Sequence, residues 1–157
     1  MKRSLALLLA FGLVASLSCV DLAGAATKQE EFKTWITKVD KFTTLYLANA
    51  AKVKGEAVAF AANRSPAALD SLATGIAVDA SGLIASVALA PSHRLKVDTL
   101  NFAKEVNDVG ADVLFLTEPQ LVATLTMAKT TVIAMNKAIA VGNVLVADAQ
   151  KWKSANG

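Results

Sequence analysis

Three carboxylates, Glu105, Asp108 and Asp112, are spaced i, i+3 and i+7, which on a helix stacks them along one face. Such a row can bind Ca²⁺ or divide acid and base roles, but both uses need further ligands or a cleft. The plainer reading is an acidic face in solvent that meets lysines of helix one or four, because acids are common on helix surfaces. His93 is the chain's one histidine. It follows Pro91-Ser92, and a lone histidine at a helix start is a solvated or capping residue more often than the base of a Ser-His-acid triad. Cys19 is the one cysteine. Setting it aside with the N-terminal segment discussed below excludes histidine–cysteine metal sites, iron–sulfur clusters, attached c-type haem and cysteine nucleophiles. Gly75 and Gly82 lie inside a helical pattern and form no phosphate loop. No Glu-x-x-His pair exists to bind two metal ions in a bundle. The residues therefore point to no catalytic group, metal or cofactor, and an enzyme is a distant third reading.

Two polar residues stand where the pattern reserves an apolar one. Asn49 interrupts the series Phe32, Trp35, Val39, Phe42, Tyr46, Val53, Ala57, Phe60; Asp79 sits between Ile76 and Leu83. A single polar residue on a helix seam sets register and partner number at a cost in stability. A buried aspartate needs a donor, and Asn49 is the candidate if helices one and two align. The functional alternative is a polar anchor for a ligand between the helices.

These residues must be carried by helices. The steps of three and four after Phe32 are those of one buried stripe, and alternation by two is absent. The spacing predicts helices over about 28–63, 66–89, 93–116 and 119–153. Ser65 is expected to cap the second, with Pro66 in its first turn, and Thr117 the fourth, with Gln120 in a capping-box position. Short connections between four amphipathic helices make neighbours antiparallel, so the expected fold is all-α, an up-down-up-down four-helix bundle forming one domain over 26–157.

Helix four is more apolar than an outer bundle helix requires. Lys129, Asn136, Asn143 and Gln150 recur every seven residues as one polar edge, while Val132, Ile133, Val141 and Val144 form the expected partner face. Either the other three helices surround it, or it self-associates or meets a partner. Lys129 and Lys137 interrupt the stretch, so no transmembrane segment is expected after the N-terminal region.

That region, residues 1–25, reads as a signal peptide. Lys2 and Arg3 precede a short apolar run from Leu5 to Val14, and Ala23-Gly24-Ala25 has the small-x-small shape of a cleavage site. The alternative is a lipoprotein tethered through Cys19, against which Ser16-Leu17-Ser18 is a poor lipidation context. Without Lys2, Arg3 and Asp21 the formal charge of +3 becomes +2. Lysines and acids alternate, with no basic patch interleaved with aromatics, so nucleic-acid binding is not expected. Hydrophobic residues make up 54% of the chain and charged ones 18%, below the usual quarter or so, so the remainder should fold.

Two classes of function stay open. The first is an exported, periplasmic or secreted interaction protein (an adaptor, an inhibitor or immunity factor, or a chaperone-like bundle) that works through a helix face on a protein partner or a second copy. The second binds a small apolar ligand or lipid in the bundle interior.

Overall fold

The computed structural model describes residues 23–63, 65–117 and 125–156, with side chains from Thr27 in the first helix and from Lys129 in the last. The described residues form four α-helices and a short 3-10 turn, with no strand: α1 Ala23–Asn63, α2 Ala67–Ser86, the turn Val87–Leu89, α3 His93–Phe115 and α4 Leu125–Asn156. Residues 1–22, including Cys19 and most of the expected signal peptide, lie outside the described residues, as do 118–124, where the fourth helix was expected to begin. α1 starts at Ala23 rather than near Lys28, consistent with the helix preference of Ala23, Ala25 and Ala26.

The ends follow local chemistry. Pro66 precedes α2 and no side chain caps it. Ser65 does not take the expected capping role; its backbone N–H donates to Asn63 Oδ1 at 2.9 Å. After α2 the chain tightens into the 3-10 turn, and Ala90 is extended, as a residue before proline must be. Ser92 caps α3, its Oγ accepting from the Leu95 N–H at 3.3 Å. Thr117 donates its hydroxyl to the Leu114 carbonyl at 2.8 Å and so closes α3.

The stripes are buried as their periodicity requires. Trp35, Val39, Tyr46, Val53 and Phe60 of α1 meet Leu69, Leu72, Ile76 and Leu83 of α2 and Leu95, Phe102, Val106, Val109 and Val113 of α3 in one core. α2 and α3 lie at its centre, with α1 packed on α2 and α4 on α3. Small residues set the approach. The Phe42 ring occupies the space a Cβ would take at Gly82, and Asn49 lies over Gly75, so α1 and α2 run in opposite directions. A Cβ at Gly110 would come within 3.3 Å of the Ala73 carbonyl, and one at Gly142 within 3.1 Å of the Phe102 ring. α1 and α4 meet near one end, where Phe32 stacks on Trp152 at 4.8 Å and Gln29 Nε2 donates to the Asn156 carbonyl at 3.1 Å.

α4 is thus not enclosed by the other three helices. Thr131, Ala138, Leu145 and Ala149 face inward, while Val132, Ile133 and Val144 are 54%, 65% and 51% exposed. Two segments, Ala67–Leu89 and Lys129–Asn156, are long and apolar enough to cross a membrane by length and composition, so Lys129 and Lys137, on which the expectation of no span rested, do not by themselves take the fourth helix out of that class. The first segment contributes Leu69, Leu72, Ile76 and Leu83 to the core.

Candidate functional site

The outer side of α4 is built by its contact with α3. One stripe of α4, recurring at three and four residues, packs inward, so the residues between it turn outward. Val132, Ile133 and Val144 stand exposed on that outer side, with the polar edge Lys129, Asn136, Asn143 and Gln150 exposed beside them. Val141 differs from the expected face: it is half-buried against the core, on the margin that turns toward α3.

That margin holds the polar contacts between α3 and α4. Glu105 is buried and pairs with Lys137 Nζ at 3.0 Å, so the expected solvated acidic face is corrected at its first member, which meets a lysine of helix four from inside. Asp108 and Asp112 are half-buried. Burial, and secondarily the charge of Asp108, push the Asp112 carboxyl above its ordinary value. Among the described residues no three histidine, cysteine, aspartate or glutamate side chains are placed to hold a metal ion.

Asn49 and Asp79 are brought together. Asn49 Nδ2 donates to Asp79 Oδ2 at 3.0 Å, and Gly75, one turn before Asp79, makes room for the amide. Asp79 is 3% exposed. Its burial raises the carboxyl above the ordinary value, while the Asn49 amide acts in the opposite sense by favouring the charged form.

Sequence reasoning missed a second polar site, at the end where α3 begins and α4 finishes. Arg94 Nε donates to Asp148 Oδ2 at 2.7 Å, and Lys151 Nζ lies 3.3 Å from Asp148 Oδ1. The Arg94 hydrogen bond, with help from Lys151, holds the buried Asp148 carboxyl below its ordinary value. Asp98, one turn along α3, has its Oδ2 at 3.9 Å from the same Arg94 nitrogen. That oxygen is buried and no donor reaches it. A shallow cavity of about 280 Å³ opens beside the cluster, lined in part by Ser92, Arg94, Asp148 and Trp152. The available signal was Asp148's position: it falls on the inward stripe of α4 between Leu145 and Trp152, as Asp79 does on α2.

Thr99 is a third inward polar residue, on the α3 stripe between Leu95 and Phe102. It accepts from Trp35 Nε1 at 3.3 Å and donates to the Leu95 carbonyl at 2.6 Å. His93, the first residue of α3, is exposed. Comparison with known protein families, with curated proteins and with solved structures yields no match.

Proposed function

We propose that this is an exported interaction protein, periplasmic or secreted, whose helices form an up-down-up-down bundle and whose working surface is the outward side of α4. The observation that carries the reading is the exposure of Val132, Ile133 and Val144 on the side of α4 turned away from α3. Exposed apolar groups that cluster on one element mark association surfaces, because covering them releases water at about 25 cal/mol per Å². The polar edge of Asn136, Asn143 and Gln150 supplies hydrogen-bonding groups at the rim. The apolar-ligand alternative finds less support: at Gly110 and Gly142 even a methyl group would be crowded.

The test is site-specific photo-crosslinking in the exported fraction. A crosslinker at Ile133 or Val144 is expected to capture one discrete protein, or a second copy of the chain. One at Val78, similarly exposed on α2, should not. Ile133→Asp should abolish the crosslink formed from Val144 and leave the helix content unchanged. Equal labelling from all three positions, or a crosslink that survives Ile133→Asp, would defeat the reading.

A further inference from the structure

Two carboxyl groups from different helices converge on one guanidinium nitrogen. Asp148 of α4 accepts from Arg94 Nε at 2.7 Å, and Asp98 Oδ2 of α3 lies 3.9 Å from that nitrogen, beyond hydrogen-bonding distance. The same Asp98 oxygen is buried with no donor near it. A buried ionised oxygen without a donor is costly. The arrangement becomes satisfied if Asp98 carries a proton, because the acid O–H can then donate to the Asp148 carboxylate that converges on the same guanidinium nitrogen.

We propose that Asp98 and Asp148 share one proton and form a pH-sensitive latch that ties the last turns of α4 to the start of α3. The charged groups that meet the pair are Arg94 on α3 and Lys151 on α4. α1 brings uncharged contacts to this end, the Phe32 ring on Trp152 and the Gln29 amide on the Asn156 carbonyl. His93 is exposed and forms no ion pair with either carboxyl. The latch is thus one bound proton and two cations against two carboxyls, and losing the proton sets a second carboxylate beside Asp148 on the same guanidinium.

The sign follows from the two shifts. Burial, then the hydrogen bond and charge of Asp148, raise Asp98 above its ordinary 3.8, and Arg94 opposes them. The stability linked to a raised carboxyl is complete below its ordinary value and is lost as pH climbs through the raised one. Asp148 is lowered, so its contribution is complete above the ordinary value and is lost as pH falls through the lowered one. The latch therefore holds best near the ordinary carboxyl range and slackens toward neutrality. An exported chain meets the pH of its surroundings, so closure of this end of the bundle would follow that pH.

The direct measurement is a ¹³C titration of side-chain carboxyl carbons in the intact protein. The pair should titrate in two steps, one above and one below the ordinary range, and Asp148→Asn should move Asp98 back toward 3.8. Asp98→Asn replaces the acid O–H by an amide donor that does not titrate. It should raise the thermal midpoint at pH 7 by roughly 3 °C, with the gain vanishing near pH 4 and absent in the Asp148→Asn background. If Asp98 titrates at or below the ordinary carboxyl range, the latch does not exist. A stability difference for Asp98→Asn that is independent of pH would overturn it equally. Neither readout involves the outward side of α4, so failure here leaves the proposed interaction surface standing, and the converse holds.

Discussion

Three polar residues on the inward stripes of this protein have partners from another helix. Asn49 serves Asp79, Thr99 serves Trp35, and Arg94 serves Asp148. Most buried polar groups in folded proteins are paired, and pairing across helices ties their register together. Asp79 permits a test. Its carboxyl is raised by burial, so the stability linked to it is present below 3.8 and is lost as pH rises through the raised value. At neutral pH the ionised form is the costly one. Asp79→Leu is expected to keep the helix content and to gain stability over the parent as pH goes from 4 to 7, read by urea denaturation at both ends. Asn49→Ala withdraws the donor at Asp79 Oδ2 and should cost about 1–3 kcal/mol at pH 7. An Asp79→Leu protein that unfolds, or whose advantage is flat with pH, would show that the carboxylate is satisfied in a way this pair does not describe.

At the scale of the elements, glycine separates two kinds of helix surface. Gly82 of α2 faces α1 with the Phe42 ring where its side chain would be, whereas nothing lies within 4 Å of the corresponding point at Gly55 of α1. The same substitution should therefore act with opposite signs. Gly82→Ala forces the ring or the helix to move and should destabilise by about 1–3 kcal/mol. Gly55→Ala meets open space and gains only the better helix propensity, up to about 1 kcal/mol. Paired thermal melts of the two variants decide it, and a stabilised Gly82→Ala would mean that α1 and α2 do not pack at this distance. α4 shows the complementary behaviour: its apolar content exceeds what its single stripe against α3 can bury, and the surplus stands on its outer side.

At the scale of the whole molecule, α1 runs from Ala23 among the described residues, just before the expected cleavage point. Cleavage after Ala25 would trim the first three residues of α1 and leave Phe32, Trp35 and Ile36 in the core. The expected outcome of N-terminal sequencing on the exported protein is a chain that starts at Ala26 or Thr27. Retained Met1 in that fraction would remove the export proposal, and an acylated Cys19 at the terminus would substitute a membrane-tethered lipoprotein.

The all-helical class, the core members of α1, α2 and α3, and the Asn49–Asp79 pair were legible in the residue series, because periodicity of 3.6 reports which side of a helix avoids water. The same reasoning located the break at Pro91 and the polar edge of α4. It named a lysine of helix one or four as the partner of the acidic row, which Glu105 finds in Lys137 of α4, but it did not reach the Arg94–Asp148 pair. Arg94 and Asp148 are 54 residues apart, and no local pattern specifies which charge on one helix lies opposite which on another. That choice depends on the relative height and rotation of two packed helices. Nor did periodicity decide whether α4 was enclosed or peripheral. An apolar helix reads alike in both places, and only the packing of α1 on α2 and of α4 on α3 turned Val132, Ile133 and Val144 toward solvent.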